Sequence, residues 1–392
     1  MKVLFFGHSN ALGGGERCYY ESVVALKEQG VEVACVLPRN QGPLIELLTK
    51  TGAIIYTARS PWWMAHWKTS FLSLLKNIYT IILAVLEILP LIKEFKPDIV
   101  VTNTMVIPAG AIAAKIARIK HAWYIHEFGV EDHGFKMFYG VANTFKIIGF
   151  LSDIILVNSE LVKKFITTKI ADVPVRILYS AIEVDQAQLL EQGTSNYQQQ
   201  HSDTSLRILM PSRVSRNKRQ IDAIQAVNLL RNKEKQVELV VLGDTQSDYS
   251  VFIKDYLKQN NLQAAVSILP FVAQPLPYFS RANLVLMCST NEAFGRVTVE
   301  AMKMGKCVIG ARAGATIEII QDGITGFLFE PENPESLAQK ISFIMDNKDI
   351  ISKVSAQGQK WAHENFSTSI HGIKFTTYLA EVIQSTLTTN IR

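Results

Sequence analysis

The sequence predicts an α/β chain built as two Rossmann-like domains, each around a parallel sheet. Short β-branched runs alternate with longer helical patterns, the signature of βαβ units. The alternation stops at a polar stretch, residues 191–205 (EQGTSNYQQQHSDTS), and restarts after it. At roughly 100 to 200 residues per domain, 392 residues also make two domains. With 48% hydrophobic and 19% charged residues the chain can bury both cores, which excludes a disordered or collagen-like class.

In the first half, strands are expected at 3–6, 31–37, 54–57, 99–102, 122–125 and 154–158. Helices fill the gaps, among them 16–29, 108–119 and 160–170. In the second half, strands are expected at 207–210, 237–243, 266–269, 284–288 and 307–309, and beyond Pro334 the pattern is helical, at 335–345, 350–364 and 370–387. The organisation is therefore residues 1–190, a linker at 191–205, a second domain at 206–368 and a terminal helix at 369–392.

A net charge of +5 with no run of five like charges does not indicate nucleic acid, and leaves an anionic surface or a phosphorylated ligand open. Cys18, Cys35, Cys288 and Cys307 stand in apolar surroundings without close pairing and read as small core residues in a reducing compartment. The chain opens directly on a strand pattern without a cleavable leader, so cytosolic residence is expected. Residues 71–92 are rich in Leu and Ile, but Lys76, Asn77, Glu87 and Pro90 interrupt them. The polar stripe at Ser73, Lys76/Asn77, Thr80, Ala84 and Glu87 predicts a mostly buried helix rather than a span. Just before it, Trp62, Trp63 and Trp67 stand beside Lys68. They suit a membrane interface or a sugar-stacking surface as well as a loop folded onto the domain.

Open parallel sheets bind ligands beyond the carboxyl ends of their strands. After the first strand come Gly13, Gly14 and Gly15, opening a helix, without the G-x-G-x-x-G spacing and without an acid after the second strand. A nicotinamide dehydrogenase is disfavoured. His126 ends a later strand. Glu131, Asp132 and His133 follow it in no recognisable metal-ligand spacing, and the chain lacks Asp-x-Asp.

In the second half, Arg213, Arg216, Lys218 and Arg219 crowd the start of a helix, a poor resting arrangement and a good diphosphate clamp. The bland alternative is a solvated basic loop. Residues 289–310 then run from a buried strand through Glu292, a turn at Phe294 and Gly295, and a helix bearing Arg296, Val297 and Glu300. One carboxylate is suited to sugar hydroxyls and one to ribose hydroxyls, with amide donors between them for phosphate. Residues 314–320 give a Gly turn into a helix, and 322–328 read as a Gly-rich hairpin.

Together the Glu-x7-Glu stretch Glu292–Glu300, the Arg-x4-Lys pair Arg213/Lys218, Gly13-Gly14-Gly15-Glu16-Arg17 and Glu318-Ile319-Ile320 with Gly323 and Gly326 resemble the family 4 (group 1) retaining glycosyltransferases of the GT-B fold. The resemblance implies two Rossmann-like domains facing a cleft, with the nucleotide sugar held by the C-terminal domain and the acceptor by the N-terminal one. It implies diphosphate binding by Arg213 and Lys218, ribose binding by Glu300, sugar hydroxyls on Glu292, His126 facing the reacting sugar, and Gly14 near the phosphates. Phe294, Gly295, Arg296 and Val297 complete the donor loop, and the last helix crosses back to the N-terminal domain. Ser212 stands where the family often has Gly, and Tyr179-Ser180-Ala181-Ile182-Glu183 where Asn-Gly-Val/Ile-Asp is usual.

The expected function is retaining transfer of a sugar from a nucleotide-diphosphate donor, a UDP-sugar, to a glycan or lipid-linked acceptor. It is expected at the inner face of the membrane, without a metal or other cofactor and without nucleic acid. The rival readings are a sugar-nucleotide epimerase or hydrolase of the same fold, and a non-catalytic glycan-binding partner subunit.

Overall fold

The computed structural model describes residues 1–65, 70–129, 134–184, 205–272 and 275–389. The chain divides into two compact units, Met1–Ile182 with Phe366–Arg392, and Glu183–Asn365. Of the linker at 191–205, all but Ser205 lies outside the described residues, as do Trp67, Lys68, Glu131, Asp132 and His133.

In the first unit, strands β1 (Lys2–Phe6), β2 (Glu32–Leu37), β3 (Ile54–Thr57), β5 (Ile99–Asn103), β6 (Lys120–Ile125), β8 (Ile154–Val157) and β9 (Val175–Ile177) form one sheet in the order 3-2-1-5-6-8-9. Every pairing is parallel. Short strands β4 (Met64–Ala65) and β7 (Lys136–Met137) pair antiparallel beside it. Right-handed crossovers put helices α1 (Gly14–Glu28) and α2 (Pro43–Lys50) on one face. Helices α3 (Phe71–Phe95), α4 (Ala109–Ala117), α5 (Val141–Leu151) and α6 (Glu160–Thr167) take the other, where α4 packs against both α3 and α5. With both faces covered, the central strands read as near-continuous apolar runs. Val3, Phe5, Cys35, Val101, Tyr124 and Leu156 fill the α1 side. There the final helix of the chain (Thr368–Thr389) packs along α1, and its Phe375 meets Phe5 edge-on.

The second unit repeats the scheme. Strands β10 (Leu206–Pro211), β11 (Val237–Asp244), β12 (Val266–Pro270), β13 (Leu284–Met287), β14 (Cys307–Ala311) and β15 (Phe327–Phe329) lie in the order 12-11-10-13-14-15 and pair in parallel throughout. Helices α7 (Gln220–Arg231), α8 (Asp248–Gln259), α9 (Leu276–Arg281), α10 (Arg296–Lys303), α11 (Thr316–Ile319), α12 (Pro334–Asp346) and α13 (Asp349–Asn365) follow, and α14 (Thr368–Thr389) is the helix already placed on α1.

Three sequence expectations change here. The segment 322–328 is not a hairpin: Asp322 to Gly326 make a turn, and Phe327–Phe329 continue as the parallel edge strand β15. Helix α3 is not mostly buried. Its capping box at Ser70 and Ser73 and its left-handed end at Lys96 define a 25-residue helix, of which only one stripe, including Asn77, Ile81, Ala84, Ile88 and Ile92, faces the unit. The polar stripe misled because Asn77 points inward, donating to Trp62 O and accepting from Tyr139. The third change concerns the tryptophans. Trp63 is 1% exposed, donates its indole N–H to Met105 O and stacks on Trp123, so it meets neither membrane nor glycan. Trp62 stays partly exposed, between His8 and Phe135.

Candidate functional site

In each sheet the strand order reverses once, between β1 and β5 and between β10 and β13. At such switch points the two loops leave in opposite directions and open a crevice beyond the strand ends. The residues singled out from the sequence gather at these two places.

In the second unit, β10 leads through Ser212 to Ser215 into a single 3₁₀ turn, Arg216–Lys218, before α7. Val214 anchors the loop in the core and donates its N–H to Gly243 O. The wholly buried Gln220 holds the rest. Its amide nitrogen donates to Ser212 Oγ and Arg213 O, both at 3.0 Å, and its carbonyl accepts from Ser215 N. Gly243 has φ +116°, and a Cβ there would stand 2.7 Å from Ser212 O, so the loop can seat only against glycine.

The four cations separate by role. Arg219 is fixed bidentately on Asp222, at 2.8 and 2.9 Å, and reaches Glu332. Arg216 lies over the Tyr249 ring. Lys218 donates to Glu292 Oε1 on the loop after β13. Arg213 is exposed and makes no ion pair among the described residues.

That second loop is equally constrained. Phe294 is buried, and Gly295, at φ +99°, opens α10 without a side-chain cap. An uncapped helix start directs its first amides, that of Val297 among them, outward with the positive end of the dipole. Gly314, at φ +59°, lets the next loop close on Glu292: a Cβ there would lie 2.7 Å from Glu292 N, and Ala315 N donates to Glu292 O. Glu300 lies 3.6 Å from Arg296 one turn earlier. Around these loops the buried hydroxyls of Ser289, Thr298 and Thr316 have no hydrogen-bond partner among the described residues. Unpaired donors beside an uncapped helix and an arginine suit an anionic ligand.

In the first unit, α1 starts at Gly14, which is exposed, behind the N-cap Gly13. Glu16 folds back under the loop to His8 at 3.3 Å. Burial acts to raise its pKa, but hydrogen bonds from His8, Ser9 and its own amide outweigh that and hold it at about 2. From β5, Asn103 donates to Gly15 O and accepts from His126 Nε2 at 2.6 Å, joining the glycine loop to the end of β6. This donor direction at Asn103 leaves His126 Nδ1 facing Cys18 Sγ, 3.7 Å away. Both ring nitrogens of His126 are thus turned to protein groups. Glu127 braces the turn, accepting from His126 N and from Met105 N. Among the described residues no group of three or more His, Cys, Asp or Glu is placed to hold a metal ion.

Sequence reasoning missed Asn103, Gln220 and Gly243, and it read Gly314 as a turn into a helix without its closure on Glu292. The first could have been found, since it immediately follows a predicted strand, where ligand loops begin. The Gln220 bonds span only five to eight residues but form only once the loop has folded, and the glycine contacts depend on neighbours distant in sequence; neither leaves a local pattern.

The model for "Glycosyltransferase Family 4" matches residues 12–186, and that for "Glycosyl transferases group 1" matches residues 193–361. The capsular polysaccharide biosynthesis glycosyltransferase CapM of Staphylococcus aureus is 24% identical over 56% of this chain and 59% of that protein. The lipopolysaccharide 1,2-N-acetylglucosaminetransferase of Salmonella typhimurium is 26% identical over 50% of this chain and 54% of that protein. The matched region thus spans little more than half the length of these curated relatives. Among solved structures, Anabaena HepE in complex with UDP and glucose superposes with a TM-score of 0.75 at 21% identity, over 97% of this chain and 99% of that one. With one family model on each unit and this fold in both, the chain belongs to the group 1, family 4 glycosyltransferases of the GT-B fold.

Proposed function

We propose that the protein transfers a sugar from a UDP-sugar to a glycan or lipid-linked acceptor, with retention of anomeric configuration, in cell-surface polysaccharide synthesis at the inner face of the membrane. The observation that carries this reading is the meeting of Lys218 and Glu292 at the switch point of the second sheet, beside the exposed Arg213. Support comes from the relatives: HepE is known with UDP and glucose, and CapM is named for capsular polysaccharide biosynthesis.

On this reading the donor diphosphate lies on Arg213, Lys218 and the amides at the start of α10, Gly295 to Val297. Glu300 takes the ribose hydroxyls and Glu292 the sugar hydroxyls. A diphosphate arriving at Lys218 draws its ammonium from Glu292, which frees that carboxylate for the sugar, so one ion pair is exchanged for contacts at both ends of the donor. The leaving diphosphate carries its developing charge onto preorganised cations, an electrostatic contribution commonly worth a hundredfold or more in rate. These cations take the role a divalent ion plays elsewhere, and no metal is required.

Double displacement needs a carboxylate placed to attack the anomeric carbon. Once Lys218 has left it, Glu292 is committed to the sugar hydroxyls rather than to attack, so the acceptor attacks on the face the diphosphate leaves, and the diphosphate takes the acceptor proton. In the first unit His126 orients a sugar, its ring set by Asn103, which releases Nε2 when that sugar binds. A thermal-shift screen against UDP, GDP and ADP and their sugars tests the donor assignment. Ligand at 100 times its dissociation constant stabilises by about 2.7 kcal/mol. UDP alone among the bases should shift the midpoint, and a shift confined to GDP or ADP would overturn the base.

A further inference from the structure

Helix α3 carries an apolar face that the protein leaves uncovered. Phe71 and Leu72 are 72% and 76% exposed, and Leu75, Tyr79, Ile82 and Leu86 continue the same stripe at three-to-four spacing over four turns. A soluble surface scatters its exposed apolar residues singly, and a continuous stripe marks a contact site. The stripe is extended on the same sheet face by Ile116 on α4 and Phe150 on α5, where Lys115 sits 4.5 Å above the Phe150 ring.

The charges beside this apolar stripe are of one sign. Through Leu86 the only charged residue of α3 is Lys76, that of α4 is Lys115 and that of α5 is Lys146, and all three are exposed. The acids of α3 come later and are occupied: Glu87 pairs with Arg59 at 2.8 Å, and Glu94 accepts from Tyr56. α3 is long and apolar enough to cross a membrane, yet its inner stripe, with Ile81, Ala84 and Ile88, is packed into its own unit. One face of the helix is committed to protein, and the opposite apolar face is left exposed.

We infer that the exposed face of α3, flanked by Lys76, Lys115 and Lys146, docks the N-terminal unit on an anionic lipid surface. A second copy of the chain fits less well, because an isologous contact would bring the same cations face to face. Lipid offers these residues what they lack: acyl chains for Phe71, Leu72 and Leu75, an interface for Tyr79, and phosphates for the lysines. The inference deepens the proposed lipid-linked acceptor and rests on that reading only for the acceptor's location.

The test is flotation of the full chain with phosphatidylcholine vesicles and with vesicles containing about a third phosphatidylglycerol, a composition that gives a strongly negative surface potential. Leu72→Glu with Leu75→Glu is compared with the parent. Both positions are exposed, so the fold should survive, which circular dichroism verifies. The parent should float with anionic vesicles, at least tenfold less with neutral ones or at high salt, and the double variant should stay at the bottom. Failure of the parent to float, equal flotation with neutral vesicles, or flotation of the variant like the parent would overturn the inference. So would a concentration-dependent dimer, seen by sedimentation without vesicles, that the variant abolishes. UDP binding by calorimetry on the same samples keeps the readings apart: loss of UDP binding by the parent would sink the transferase reading and leave the flotation result standing.

Discussion

Lys218 Nζ donates to Glu292 Oε1, tying the loop that leaves β10 to the loop that leaves β13. Each residue is the resting partner of the other, so each substitution removes the ion pair that ties the two loops.

Replacing Glu292 by Gln should therefore impair turnover by about a hundredfold without abolishing it, because the amide still hydrogen-bonds sugar but no longer balances Lys218. Intact-mass spectrometry during turnover should find no glycosyl-enzyme. A covalent adduct on Glu292 in the parent would replace the front-face route by double displacement. An inverted product by NMR would remove retention altogether.

Gln220→Ala should loosen the basic loop, since three backbone and side-chain partners lose their bonds at a wholly buried position. Stability should fall by about 1–3 kcal/mol in urea titrations, and donor KM should rise while kcat changes little. An unchanged KM would show that the loop holds its shape without Gln220.

Glu300→Gln should act mainly on donor affinity, as a ribose contact is present before and during the reaction. An unaltered donor KM would take Glu300 out of the site and leave it as the partner of Arg296.

Burial lowers the pKa of His121 to about 3 and of His371 to about 4, each hydrogen-bonded inside the first unit, to Thr102 and to Ser22 and Tyr179 O. In the unfolded chain these rings bind protons near pH 6.5, well above their folded values, so the stability they confer is present above 6.5 and is lost as pH falls toward 4. Scanning fluorimetry should show the midpoint of the first unit dropping between pH 7 and 5, less steeply in His371→Gln. A flat profile would contradict the burial of these two rings. Glu16, held at about 2, adds its own loss only below about 4.5.

Turnover should survive EDTA. Loss of activity on chelation with rescue by Mn²⁺ or Mg²⁺ would move the charge role from Arg213 and Lys218 to a metal.

Much of this architecture was legible because parallel strands buried on both faces leave apolar runs such as Val3 to Phe6 and Ile99 to Val101, and these were found within a residue or two of their ends. The short edge elements were not. β15 has three residues behind a turn of glycines, and the pair β4 and β7 has two each, too few to establish a period. The exposed face of α3 was misread for a different reason: an inward Asn77 made the buried stripe look polar, and hydropathy cannot tell which face of an apolar helix meets protein. At the candidate site, the motif residues were legible and their mutual engagement was not. Lys218 and Glu292 are 74 residues apart, and Asn103 and His126 meet only because β5 and β6 are neighbours.

A nucleoside diphosphate should bind at the switch point of the second sheet through Arg213 and Lys218. Isothermal titration of UDP into the parent and into Arg213→Ala and Lys218→Ala measures it directly. The parent should bind UDP without a metal, and each variant should bind it at least tenfold more weakly, about 1.4 kcal/mol. Equal affinity in all three proteins would contradict it.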